Sequence, residues 1–185
     1  MRVIAGLHRS RTLEAPRGLA TRPTSDRLRE TLFNVLAPRV EGARFLDLYA
    51  GSGAVGIEAV SRGAARVEFV ERAKPALDAL RANLRSLKIG SGISVHAVAV
   101  REFLRCAPDE PFDIVFLDPP YEAEAEYASA LNLLGSAQEW LVPEGVVIAE
   151  HRRKEALAEE YGVLRRTRLL EQGDAGLSFY GALAG

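Results

Sequence analysis

The hydrophobic pattern changes period repeatedly along this chain. From Arg44 onward, short apolar runs (FLDL, RVEFV, ISVHAV, FDIVFL and GVVIAE) alternate with stretches at about 54–62, 74–88, 100–105 and 123–139, where apolar residues recur every three or four positions. The runs, rich in Val, Ile and Phe, predict buried strands, and the intervening stretches predict amphipathic helices. Within 74–88, Leu77, Leu80, Leu84 and Leu87 share one face, which is core spacing. Alternation of this kind predicts an α/β fold with a parallel sheet covered by helices. Upstream, Arg2–Ala5 and Thr12–Ala15 predict a short hairpin, and Pro16, Gly18 and Pro23 punctuate the stretch between it and the first helix. Thr24 or Ser25 is expected to cap that helix with Asp26 in its first turn and Leu28, Leu32, Val35 and Leu36 as its apolar stripe, ending at Pro38. After GVVIAE, a helix near 152–160 and a closing antiparallel hairpin formed by VLRRTRLLEQ and GLSFYGAL are expected.

Composition narrows the class. With 185 residues, 48% of them hydrophobic and 26% charged, the chain can bury a good-sized core, and disorder is not expected. The first residues lack a signal-peptide apolar run, and no window approaches eighteen uncharged apolar residues, so a soluble, cytoplasmic protein without membrane contact is expected. Cys106 is the sole cysteine, which excludes an intramolecular disulfide and a Cys-rich zinc site; it is expected to be a small buried apolar residue. His8, His96 and His151 are scattered, and no metal site is expected. Trp140 is expected to serve packing. The net charge of −1 conceals an asymmetry: residues 1–30 carry seven arginines against Glu14, Asp26 and Glu30, a net of +4, which leaves −5 for the rest. A basic arm on an acidic body suits a phosphate backbone, although a solvated hairpin would carry the same charges.

Ligands of an open parallel sheet bind beyond the carboxyl ends of its strands. After FLDL comes DLYAGSGAVG, a G-x-G-x-x-G loop at 51–56 that permits close backbone approach to either a dinucleotide or S-adenosylmethionine. Asp47 separates the two: a carboxylate at the mouth of the loop repels a pyrophosphate but attracts an ammonium or a sulfonium. After RVEFV, Glu71 can accept hydrogen bonds from both ribose hydroxyls in either case. After FDIVFL, Asp118-Pro119-Pro120-Tyr121 forms a rigid extended turn. There the Asp118 carboxylate and the Pro119 carbonyl can accept the two protons of a base amine while Tyr121 stacks on the ring. Glu150, at the end of GVVIAE, fits either this cleft or the surface.

Together TRPTSDRLRETLFNVL, FLDLYAGSGAVGIEAVSRGAA, FVE and FDIVFLDPPY, in this order and spacing, resemble the bacterial 16S ribosomal RNA guanine-N2 methyltransferase family, the small-subunit methyltransferase D family. The resemblance spans Arg2 to about Glu150 and weakens beyond. It implies a Rossmann-like class I methyltransferase fold: a seven-stranded sheet of order 3-2-1-4-5-7-6 with the seventh strand antiparallel, and a domain at 41–185 preceded by an RNA-facing hairpin and helix at 1–40. It also implies S-adenosylmethionine as methyl donor, S-adenosylhomocysteine as product, and 16S rRNA, free or within a 30S subunit, as partner of a monomer. By the same resemblance Asp47, Tyr49, Ala50, Gly51, Ser52, Gly53, Glu71, Arg72, Ala99 and Val100 line the cofactor site, and Asp118, Pro119, Pro120 and Tyr121 hold the flipped guanine. Arg9, Arg11, Arg17 and Arg22 are the phosphate candidates. Ala99 and Val100 depart from the pattern, because related enzymes place an acid or amide there against the adenine amine; Glu102 or a backbone group is left to substitute. The residues alone keep two alternatives open: a methyltransferase acting on another planar amine (adenine N6 or a protein glutamine), or a nucleotide-dependent oxidoreductase or non-catalytic RNA-binding module.

Overall fold

The computed structural model describes residues 1–16, 24–120, 124–136 and 138–182. The elements, in chain order, are α1 (Asp26–Val40), β1 (Arg44–Leu48), α2 (Ala54–Ser61), β2 (Arg66–Val70), α3 (Lys74–Ser86), β3 (Ile93–His96), α4 (Val100–Phe103), β4 (Phe112–Leu117), α5 (Glu124–Ser136), β5 (Leu141–Arg152), β6 (Glu160–Tyr161), β7 (Leu164–Gln172) and β8 (Ala175–Ala182). They build one sheet of order β3-β2-β1-β4-β5-β8-β7-β6. β1 to β5 run parallel, and β8 lies antiparallel between β5 and β7. The expected order is therefore present, with the two-residue β6 added at the edge by its pairing with β7.

The alternation of side chains splits the core into two layers. Phe45, Ile114, Phe116, Val146 and Ile148 face α1, α2 and α3. Leu46, Leu48, Val115, Leu117, Val147 and Ala149 face α4 and α5. At the start of α1, the Ser25 side chain accepts from the Leu28 N–H at 3.1 Å. The helix then runs two residues beyond Pro38 rather than stopping there: the Asn34 carbonyl forgoes the hydrogen bond a residue-38 N–H would give, and burial of Val40 in the last turn offsets that loss. Trp140 is packing, stacked on Phe112 with ring centroids 6.3 Å apart.

Two expectations fail. No helix forms at 152–160; β5 continues to Arg152 against Ala175 of β8, and the residues after it are held open by hydrogen bonds from the Ala158 N–H to the Tyr161 hydroxyl and from the Tyr180 hydroxyl to the Ala158 carbonyl. These partners lie outside the segment, so tertiary contacts override its helical composition. Cys106 is exposed just past α4 rather than buried.

The N-terminal segment forms the expected short hairpin in minimal form: Arg2 and Thr12 make one antiparallel bridge, with Val3, Ser10 and Leu13 N–H groups closing the loop, and it lies as a strap across α2. It is pinned by the buried Glu58 of α2, whose carboxylate accepts from the Ile4 and Ala5 N–H groups at 2.8 and 3.0 Å and pairs with Arg62 at 2.8 Å and the fully buried Arg29 at 3.8 Å. Gly6 is required there: at φ +80° it passes so near α2 that a Cβ would lie 1.8 Å from the Ser61 carbonyl oxygen. Among the described residues no helix is long and apolar enough to cross a membrane.

Candidate active site

The register of the sheet lines up its carboxyl ends. Leu48 is paired with both Val70 and Leu117, Val70 with His96, and Leu117 with Ala149. The next residue on each strand therefore lies on one edge, which places Glu71, Tyr49, Asp118 and Glu150 in a row, with neighbouring parallel strands about 4.8 Å apart. Parity then decides direction. Asp47, Asp118 and Glu150 follow Phe45, Phe116 and Ile148 at intervals of two, so all three carboxylates point to the side of the sheet that carries α1 and α2.

Behind this row lies the glycine loop. Tyr49 and Gly51 have left-handed backbones (φ 59° and 57°), unusual for a tyrosine, whose hydroxyl donates to Glu126 Oε2 at 2.7 Å. The turn continues through Ala50, whose N–H reaches the Val70 carbonyl at 3.0 Å, and the buried Ser52, whose carbonyl accepts from Asn83 Nδ2 at 3.0 Å. The three glycines differ in purpose. A Cβ on Gly53 would strike Leu80 at 2.2 Å and one on Gly56 would strike the Phe69 ring at 2.3 Å, so both serve packing, whereas a Cβ on Gly51 would stand in open space.

Asp47 is 1% exposed, and its Oδ2 accepts from the Gly56 N–H at 2.8 Å. Burial pushes its carboxyl up to about 7; the Gly56 hydrogen bond opposes this and the charge on Glu71 adds to it. Glu71 Oε2 accepts from the Gly51 N–H at 2.9 Å, and Oε1 accepts from the Arg72 and Ala73 N–H groups at 2.8 and 2.7 Å. Of its roughly four lone-pair sites three are occupied, which leaves capacity on Oε2 for one hydroxyl rather than for both hydroxyls of a ribose. Arg72 itself is exposed. Ala99 precedes the first turn of α4 and Val100 is buried; neither offers a polar side chain, and Glu102 is exposed.

At the end of β4, Asp118 is half-buried, Pro119 buried and Pro120 exposed, while Tyr121 lies outside the described residues. The Asp118 carboxyl is held well above the usual carboxylate range, first by burial and then by the charges of Glu150 and Asp47, with the Thr24 hydroxyl favouring its ionised form. Glu150, left by the sequence between cleft and surface, is 2% exposed and accepts from the Thr24 hydroxyl at 2.7 Å. Glu150 thus lies on the cleft side of the two alternatives the sequence left open, and Thr24, which the sequence offered only as a helix cap, joins it as a functional candidate. For Glu150 the signal was available, since it stands at the same offset from its strand end as Asp118; for Thr24, 126 residues away, there was none.

The arginines behave differently. Arg9 and Arg11 are exposed on the strap, with Arg11 Nη2 donating to the Ser86 carbonyl at 3.3 Å, at the far end of α3 from the strand-end row. Thirteen helical residues separate that end from the cleft by about 18 Å. Arg17 and Arg22 lie outside the described residues. His96 and His151 are satisfied locally, by Glu68 at 2.9 Å and by Ser178 at 2.9 Å.

A glycine loop thus lies beside carboxylates carried by β1 and by the ends of β2, β4 and β5. Comparisons with known proteins identify the family. The model of the family described as Conserved hypothetical protein 95 matches residues 1–181. YlbH of Bacillus subtilis is 38% identical over 182 residues, covering 97% of this chain and 98% of the relative. The Ribosomal RNA small subunit methyltransferase D of Escherichia coli K12 is 41% identical over 150 residues, covering 81% and 74%. The chain belongs to this family. A solved Escherichia coli chain, yhhF, superimposes with a TM-score of 0.87 at 34% identity over 100% of this chain and 99% of that one. Family membership thus covers β6 to β8 as well, beyond the stretch where the sequence motifs carry the resemblance.

Proposed function

We propose that this protein transfers a methyl group from S-adenosylmethionine to the exocyclic N2 amine of a guanine in 16S rRNA. The observation that carries the reading is the strand-end row, in which Asp118 and Pro119 stand at the close of β4 directly beside Tyr49 and the open face of the Gly51 turn. The relatives named Ribosomal RNA small subunit methyltransferase D support the substrate class.

The residues present fit the methyl donor. Gly51, with open space where a side chain would stand, would let the donor approach the backbone, Glu71 would accept from a ribose hydroxyl, and ionised Asp47 would favour a nearby sulfonium and ammonium. When bound, S-adenosylmethionine supplies an electrophilic methyl on a positively charged sulfur. The chain's own work is orientation and electrostatics. An arylamine is a weak nucleophile because its lone pair is delocalised into the ring. Acceptors at the Asp118 carboxylate and the Pro119 carbonyl would draw on its two protons, localise the lone pair and aim it. No covalent enzyme intermediate is needed. Arg9 and Arg11 would meet RNA phosphates away from the strand-end row, Arg11 being held at the end of α3 remote from it.

The test is transfer of labelled methyl groups to naked 16S rRNA, to 30S particles and to duplex DNA, with the modified nucleoside identified by mass. N2-methylguanosine in one of the RNA substrates is expected. Label in N6-methyladenine, in protein or in DNA alone would overturn the assignment.

A further inference from the structure

Methylation of an amine leaves a proton to be removed. The C–N bond forms, the S–C bond breaks with its electron pair remaining on sulfur, and one N–H proton must depart. Asp118 is the natural first acceptor, yet it faces the interior side of the row, between other carboxylates.

Thr24 stands where that proton could go next. Phe116 of β4 is in register with Ile148 of β5, so Asp118 and Glu150 are neighbours on the same face. Thr24 is buried just ahead of the Ser25 cap of α1; its hydroxyl donates to Glu150 Oε2 at 2.7 Å, and as a donor it favours the ionised form of the neighbouring Asp118. A hydroxyl has one hydrogen and two acceptor lone pairs. When Asp118 is ionised, the hydrogen can turn toward it; when Asp118 holds a proton, Asp118 can donate to Thr24 while Thr24 donates to Glu150. The Glu150 backbone is fixed from the other side, because the Tyr127 hydroxyl donates to its carbonyl at 3.0 Å.

We propose that Thr24 and Glu150 form a proton relay behind Asp118, carrying the proton lost by the methylated amine from Asp118 through the Thr24 hydroxyl to Glu150. The amine proton passes to the Asp118 carboxylate, the Asp118 proton to Thr24 Oγ1, and the Thr24 proton to Glu150, so Thr24 ends as it began. This rests on Asp118 being the amine acceptor. Neither Thr24 nor Glu150 need touch RNA or cofactor.

The experiment compares Thr24→Val, Thr24→Ser and Glu150→Gln with the wild type, each checked for native fold by circular dichroism. In ligand-free protein, the Asp118 carboxyl is titrated by carbon-13 NMR. The charged groups facing it among the described residues are Asp47 on β1 and Glu150 on β5, with the Thr24 hydroxyl beside them. Glu150→Gln should lower its midpoint by removing a like charge, and Thr24→Val should raise it by removing a donor to the ionised form. In single-turnover methyl transfer, Thr24→Val and Glu150→Gln should each slow the step at least about tenfold, with cofactor affinity and RNA KM within about threefold of wild type and with Thr24→Ser retaining most of the rate. Unmoved Asp118 midpoints in both variants would overturn the connection. Wild-type turnover in Thr24→Val, or a loss confined to binding, would overturn the relay. The titration needs no substrate, so failure of the wild type to methylate RNA would count against the proposed function and leave the connection to be judged on its own.

Discussion

If Asp47 faces the methyl donor as proposed, cofactor binding should be proton-linked. Its carboxyl, ordinarily near 3.8, is raised by burial to about 7, so in the ligand-free protein it is largely neutral in mild acid. Only the ionised form attracts a sulfonium or an ammonium. At pH 8 the group is already charged and binding requires no proton release. Each unit below about 7 lowers the ionised fraction tenfold, so affinity should fall by about 100-fold between pH 8 and pH 5. Isothermal titration of S-adenosylmethionine at constant ionic strength measures this directly, and repetition in buffers of different ionisation enthalpy counts the protons released. Asp47→Asn should bind more weakly at pH 8 and lose most of the pH dependence. The same shift has a stability counterpart of the opposite sense. Between about pH 4 and 7 the folded protein keeps a proton that the unfolded chain has lost, so this group's contribution to stability declines as pH rises through that window. The full penalty is about 4 kcal/mol above pH 7, and ligand binding should recover much of it. A wild-type affinity constant within twofold from pH 8 to pH 5 would refute the reasoning.

Asp118→Ala should abolish methyl transfer while leaving cofactor affinity within a few-fold, and unaltered turnover would remove the amine-acceptor role. Glu58→Ala should destabilise the fold by about 3–5 kcal/mol in urea titrations, because it deprives the fully buried Arg29 of a counter-charge and frees the Ile4 and Ala5 N–H groups; a loss below about 1 kcal/mol would mean that Asp26, paired with Arg29 at 2.9 Å, suffices. Reversing Arg9 and Arg11 to Glu should weaken RNA binding and flatten the dependence of its logarithm on salt, measured by filter binding. An unchanged slope would place the RNA elsewhere.

Periodicity made much of this architecture legible in the sequence. Alternation within FLDL and FDIVFL placed Asp47 and Asp118 at strand ends, and the parallel sheet was implied by strand and helix alternating one by one. The features that stayed hidden depended on partners distant in the chain. The 152–160 segment has helical composition, but Tyr161 and Tyr180 hold it open. Arg29 reads as one more cation of a basic arm, yet it is fully buried beside Glu58. Thr24 and Ser25 read as alternative caps; Ser25 takes that role, and the Thr24 hydroxyl bonds Glu150 instead. The backbone partners of Glu71 were equally hidden, since the N–H groups of Gly51, Arg72 and Ala73 meet its carboxylate only once the two strand-end turns are side by side.

The row of acids also defines what kinds of insertion the chain can absorb. Asp47, Asp118 and Glu150 share a side only because each stands an even step beyond its strand's inward residues. One residue added within Val146–Ala149 would turn Glu150 toward α5 and drive Ile148 out of its layer, whereas two would preserve the facing and merely lengthen the strand. Drift in chain length at this edge should therefore be tolerated in pairs, while the turns at the opposite end of the sheet are free to change by single residues.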